Sequence, residues 1–351
     1  MARRTFETLN AMRGIAAIGV VLFHGRSLWH GAVAPHGYLA VDIFFMLSGF
    51  VIAHAYEGRL RGGLRVAEFA KIRIIRFYPL YGLGLALGIA RYLMLKAGHN
   101  PDALPTVDLV MATLTGLAFL PCPLPSHGYD LFILNPPSWS LFYELAVNVA
   151  FAAMAPRLSK VMLGAIVAVS GICLLPLVLA AGNADLGANG LDIGAGVART
   201  VFSFGLGVLI YRSAPKIPTI PPLLVLLAVA LVVGLPVASP YYDLACILLV
   251  SPLLLMAGAS SEPPVLLHRA FIYLGLISFP LYAVHRPLLA LAPNVAHVLH
   301  LSQPVAGSLI VIGLLALCPL LDRFYDAPLR RWLSRRFKER LARDPAEAAA
   351  P

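Results

Sequence analysis

The chain has 351 residues, a net charge of +10, 59% apolar residues and only 13% charged ones. A soluble globule carries about 25% charged residues, so this supply cannot coat a water-facing surface of that size, and a mean hydropathy of +0.81 agrees. An ordinary soluble domain is excluded, and the composition predicts an all-α polytopic membrane protein.

The basic excess does not indicate nucleic acid as a partner. Lys and Arg sit in short stretches between apolar runs and in the tail, which is the positive-inside pattern. Cys122, Cys173, Cys246 and Cys318 form no CxxC or zinc spacing, so neither a disulfide nor a metal site is expected. The first apolar run has no small-residue cleavage site and leads straight into a second, so it is expected to stay as a membrane anchor.

A membrane-crossing helix needs roughly 20 mostly apolar residues. In chain order, spans are expected near 11–29, 38–55, 73–95, 139–156, 161–181, 191–211, 221–238, 242–258, 270–292 and 305–321. The stretch 107–120 is short and runs into Pro121, Pro123 and Pro125. Charge decides how it is read. Arg3, Arg4 and Arg13 put the amino terminus inside, and Arg59 to Arg76 mark an inside loop. Arg157 and Lys160 are inside again only if 139–156 crosses and 107–120 does not. Loops 182–190, 236–241 and 293–304 lack Lys and Arg and read as outside, whereas Arg212, Lys216, Arg269 and the basic tail read as inside. The expectation is about ten spans, both termini cytoplasmic, and 107–120 re-entrant or at the outer interface. Residues 1–322 would form the membrane domain and 323–351 a basic cytoplasmic tail. Its Leu329–Leu341 stretch is amphipathic and suits anionic lipid, and its Ala-rich end is expected to be disordered. No internal repeat is visible.

An ionisable residue inside a span is costly and is a functional candidate by default. Arg13 and His24 are eleven residues apart, which returns to nearly the same helix face about 16 Å further along. They would line one path without touching. His24 is placed to act as a base at neutral pH, or simply to bond a neighbouring helix. Asp42, in Val41-Asp42-Ile43-Phe44-Phe45-Met46-Leu47-Ser48-Gly49-Phe50, caps its helix or orients a histidine. Ser48 and Gly49 are small and suit close helix packing. Arg73 and Arg76 share a face at the inner end of the third span, where paired guanidinium groups suit phosphate. Glu144, in Ser138-Trp139-Ser140-Leu141-Phe142-Tyr143-Glu144, needs a partner, with His24 or Arg199 as candidates. Arg199 snorkels or pairs. His285, after Ser278-Phe279-Pro280-Leu281-Tyr282, lies near the outer end of its span and is expected to be interfacial.

Several of these pieces together resemble the acyltransferase 3 family of membrane acyltransferases. Asn10-Ala11-Met12-Arg13-Gly14-Ile15-Ala16-Ala17 followed by His24 is similar to its arginine, ten residues, histidine signature. Asp42 to Phe50 resembles its second-helix motif, and Arg73 and Arg76 before Pro79-Leu80-Tyr81 resemble its paired-arginine element. Ser138-Trp139-Ser140-Leu141 with Glu144, then Ser278 to His285, then Asp326-Ala327-Pro328-Leu329-Arg330 resemble three later elements. Asn10 departs from the Asp common at that position, so no role transfers there. The resemblance implies transfer of an acyl group, commonly acetyl, from cytoplasmic acyl-CoA such as acetyl-CoA to a hydroxyl of a carbohydrate or lipid-linked glycan. It implies a catalytic His24, and the chemistry of a buried histidine leads us to expect a base or acyl carrier, with Asp42 or Glu144 orienting it. Arg13, Arg73 and Arg76 would handle the donor, and Trp139, Ser140, Tyr282, His285 and Arg199 would support substrate or site. The implied setting is the multi-pass inner membrane of a bacterium, in contact with membrane lipids. The rivals are a transporter for a lipid-linked sugar, which often shows internal repeats, and a non-catalytic scaffold on the same fold.

Overall fold

A computed structural model describes residues 6–215 and 218–343. Arg3, Arg4, Lys216 and the Ala-rich end from residue 344 lie outside the described residues, so the expectations placed on them go unaddressed. The described chain is all-helical, without strands; one isolated bridge joins Asp130 and Asn189. Its helices are α1 (Glu7–His24), α2 (Ala40–Arg61), α3 (Val66–Ala97), α4 (Thr106–Leu117), α5 (Ser138–Met154), α6 (Lys160–Ala181), α7 (Ile193–Ser213), α8 (Pro222–Gly234), α9 (Pro240–Ala245), α10 (Ser251–Ser260), α11 (Val265–Leu289), α12 (Ala292–Val298), α13 (Gln303–Leu321) and α14 (Ala327–Arg343). A π turn joins α9 to α10, and another joins α13 to α14.

Seven of the described helical segments are long and apolar enough to cross a membrane. They are α2, α3, α6, α7, the α9–α10 run, α11 and the α13–α14 run. The expected spans at α1, α5 and α8 are shorter or more polar. Glu7, Arg13 and His24 dilute α1, α5 has 17 residues and α8 has 13. Exposed aliphatic side chains on α6, α8 and α13, among them Ile172, Leu227 and Ile312, suit a lipid-facing surface. The molecule is a multi-pass membrane protein.

The α4 helix is about 18 Å long and runs antiparallel to α3. Tyr81 and Tyr78 of α3 donate to the Gly116 and Leu117 carbonyls at its far end. The chain then turns back, since Ser126 bonds Asp108 near the start of α4, and descends again to α5. The part of the return that leads into α5 is covered by protein, with Leu131, Leu134 and Asn135 buried, whereas Pro125, Ser126 and residues 128–130 are exposed. Irregular backbone at membrane depth survives only under such cover.

Two packing devices set the bundle. Small residues let backbones touch. A Cβ on Gly49 of α2 would lie 2.0 Å from the Phe204 carbonyl oxygen of α7, and one on Gly207 would lie 2.0 Å from that of Met46. Helix prolines free carbonyls one turn back, and side chains take them. Pro287 orphans the Ala283 carbonyl, which accepts from Asn135 at 2.9 Å. Pro319 orphans the Leu315 carbonyl, which accepts from the Tyr273 hydroxyl at 2.9 Å.

One end of the bundle gathers the basic junctions. Arg61 and Arg212 both donate to the Leu158 carbonyl, Arg212 meets Glu57 at 2.9 Å, and Arg76 meets Asp326 at 3.5 Å. The Glu7 backbone N–H bonds Glu262 at that same end. The α13 helix passes residue 322 without a break into α14, and Lys71 lies over the Phe337 ring.

Candidate functional site

A cavity of about 850 Å³, counted out to its mouth, opens among α1, α2, α3, α5 and α11. Helical spacing explains which side chains reach it. Residues three or four apart share a face. Phe44 and Ser48 of α2, Arg73, Arg76 and Phe77 of α3, Ser140 and Glu144 of α5, and Ser278 and Tyr282 of α11 all obey that rule and line the cavity, as does Arg13 of α1.

Inside it, Glu144 Oε1 accepts from Ser48 Oγ at 2.6 Å and from an Arg73 guanidinium nitrogen at 3.3 Å. The expected partners of Glu144 were His24 or Arg199, and the actual ones differ because α5 turns that face toward α2 and α3. Arg73 lies over the Phe77 ring and Arg76 over the Phe279 ring. Arg76 also meets Asp326, which Arg330 holds at 2.9 Å. Three guanidinium groups against one lining carboxylate leave the cavity electropositive, which fits an anionic phosphate-bearing ligand.

Higher in the bundle, the Ser140 and Tyr282 hydroxyls meet at 2.5 Å, and both oxygens lie near the Pro137 carbonyl oxygen, at 3.1 and 3.2 Å, so one hydroxyl donates to the other and the second donates to the carbonyl. Tyr282 links two regions, for its ring also lies 5.9 Å from that of His285. His285 Nε2 stands 2.9 Å from His24 Nδ1, with the ring planes 25° apart and the ring centres 5.0 Å apart. His285 Nδ1 faces the Leu281 and Tyr282 carbonyl oxygens at 3.0 and 2.8 Å. His285 is fully buried, which corrects the expectation of an interfacial residue; its three-residue offset from Tyr282 turns it inward. His24 stays partly exposed.

Asp42 does not reach His24. Six residues along a helix turn its side chain about 120° from Ser48, toward α7. There both oxygens bind Arg199, at 3.3 and 2.6 Å, and Ser203 adds a bond at 3.4 Å. Arg199 also donates to the Leu186 carbonyl at 2.6 Å and the Tyr38 carbonyl at 3.1 Å, and its guanidinium lies 5.9 Å over the Trp139 ring. Asp42 and Arg199 are completely buried. Thus Arg13, Arg73, Arg76, Glu144, Ser140 and Tyr282 share the cavity, His24 pairs with His285, and Asp42, Arg199 and Trp139 form a third cluster. The sequence reading missed Ser48 as a carboxylate partner, although its four-residue offset from Phe44 was visible.

A family model described as an acyltransferase domain matches residues 6–323. The chain belongs to the acyltransferase 3 family. It is therefore an acyltransferase. Protein 2 in the picA locus of Rhizobium radiobacter is 38% identical over 178 residues, covering 48% of this chain and 93% of that protein. Acyltransferase MdmB of Streptomyces mycarofaciens is 29% identical over 156 residues, and exopolysaccharide production protein ExoZ of Rhizobium meliloti is 29% identical over 134. Those two alignments span 41% and 38% of this chain and 38% of each relative's own length. No solved structure matches. Among the described residues no His, Cys, Asp or Glu cluster suits a metal ion, and the four cysteines are unpaired.

Proposed function

We propose that this acyltransferase moves an acyl group, acetyl first among candidates, from cytoplasmic acyl-CoA to a hydroxyl of a carbohydrate or lipid-linked glycan. The observation that carries the reading is the stacking order within one bundle: three arginines in a cavity toward the basic end, and a partly exposed histidine toward the other. The basic end faces the cytoplasm by the positive-inside pattern, which supports the inner membrane of a bacterium and about ten crossings once α1, α5 and α8 are included. The similarity to ExoZ, named for exopolysaccharide production, supports a glycan acceptor.

In this scheme Arg13, Arg73 and Arg76 hold the CoA phosphates, and Glu144 with Ser48 orients Arg73. The pantetheine arm runs past Tyr282. His24 takes the acceptor hydroxyl proton on Nε2, the ring nitrogen not engaged with His285. The acceptor oxygen bonds to the thioester carbonyl carbon, the C–S bond breaks, and the thiolate leaves with the proton from His24. Asp42 holds Arg199 and thereby the α2–α7 contact, acting at a distance from the chemistry.

The test uses isolated membranes, radiolabelled acetyl-CoA and a glycan fraction from the same cells. Label should pass to glycan with the wild type and fall to background with His24→Ala. Full transfer by His24→Ala would refute the role of His24; absence of acyl-CoA-dependent label with the wild type would refute the donor.

A further inference from the structure

The two histidines come from helices far apart in the chain, α1 and α11, and meet at hydrogen-bonding distance. A neutral imidazole has one N–H and one lone pair, so its partners decide which nitrogen carries the proton. A backbone carbonyl only accepts. His285 Nδ1 has two of them, at 2.8 and 3.0 Å, and must carry the hydrogen. His285 Nε2 is then a lone pair. The nitrogen opposite it, His24 Nδ1 at 2.9 Å, must be the donor. This leaves the lone pair of His24 on Nε2.

From this geometry we propose that His285 is a positioning residue that fixes the tautomer and plane of His24. The device is a chain of neutral groups, backbone carbonyls to His285 to His24, where a carboxylate would stand in a Ser-His-Asp arrangement. Asp42 and Glu144 are already committed elsewhere, to Arg199 and to Arg73 with Ser48. The carbonyls of Leu281 and Tyr282 sit inside α11 and cannot turn away, so the orientation is built into the helix. Freed from His285, the His24 ring would exchange tautomers, and part of the population would present an N–H where a base is needed. The proposal rests on His24 as the base, and its test separates the two ideas.

The variants are His285→Leu, which fills the space without an acceptor, and His285→Gln, whose Oε1 reaches the position of Nε2. His285→Leu should lower kcat by about tenfold to a hundredfold, in line with the loss of groups that orient a functional histidine, with the KM for acyl-CoA unchanged. His285→Gln should recover most of that loss. In ¹⁵N-histidine-labelled protein, the His24 signals, identified by their absence in His24→Gln, should report Nδ1–H and a bare Nε2 in the wild type and a mixture in His285→Leu. The proposal is overturned if His285→Gln is as impaired as His285→Leu, or if the His24 nitrogen signals are the same in His285→Leu as in the wild type. The nitrogen pattern is independent of turnover. An active His24→Ala with that pattern intact in the wild type would sink the catalytic reading while sparing the tautomer lock.

Discussion

Replacing Arg199 by Leu should be among the most damaging single changes outside the cavity. Both partners of the Asp42–Arg199 pair are wholly buried. The substitution strands the Asp42 carboxylate with only Ser203, at 3.4 Å, as a donor. Orphaning one member of a buried pair costs about 3–5 kcal/mol. The Leu186 and Tyr38 carbonyls also lose their donors, at about 1 kcal/mol each. The total is roughly 5–7 kcal/mol, comparable to the whole stability of a marginal domain. The companion is the double variant Asp42→Leu/Arg199→Leu. It keeps the carbonyl penalty but removes the stranded charge, so it should be about 3–5 kcal/mol more stable than Arg199→Leu alone, and its cost should fall below the sum of the two singles by at least that much. Unfolding free energies in mixed micelles, titrated with SDS, measure all four proteins. Additivity of the singles within about 0.5 kcal/mol would mean that the pair is not coupled and that the account of α2 held to α7 is wrong.

Three further outcomes follow from the same geometry. Arg73→Glu reverses the charge beside Glu144 and should raise the KM for acyl-CoA by about tenfold to a hundredfold, the worth of a hydrogen bond between charged groups; an unchanged KM would remove Arg73 from the donor site. Gly207→Ala forces a methyl to within 2.0 Å of the Met46 carbonyl oxygen and should cost about 1–3 kcal/mol as overpacking, read as a lower yield of monodisperse protein in detergent; a wild-type yield would contradict the close contact. Asn135→Ala leaves the Ala283 carbonyl without a partner and should cost about 1–3 kcal/mol, visible as a lower melting temperature that Asn135→Gln does not reproduce in full.

Much of the fold was legible because lipid imposes a simple rule. Long apolar runs such as 161–181 and 305–321 correspond to α6 and α13 almost to the residue. The short helices α5 and α8 lie where spans were expected, but hydropathy alone cannot see that α5 starts deep in the protein, on a non-helical stretch that the bundle covers. The separation of the polar residues into three clusters was half legible. Helical spacing puts Ser140 and Glu144 on one face and turns Asp42 away from Ser48, relations that were open to view in the sequence but not drawn from it. It could not place His285 beside His24, because 261 residues of chain separate them and only the packing of α1 on α11 brings them together. Asp326 was noticed as part of a terminal motif, yet its contact with Arg76 depends on α13 running unbroken into α14 and back against α3.

The proposed reaction is acyl transfer to a glycan hydroxyl with His24 as the base. Proton NMR of surface glycans tests it most directly, comparing cells that lack the protein with cells given back either the wild type or His24→Ala. O-acyl signals that return only with the wild type are the predicted result, and the acylated sugar then identifies the acceptor. Equal restoration by His24→Ala, or no signal with either protein, would contradict it.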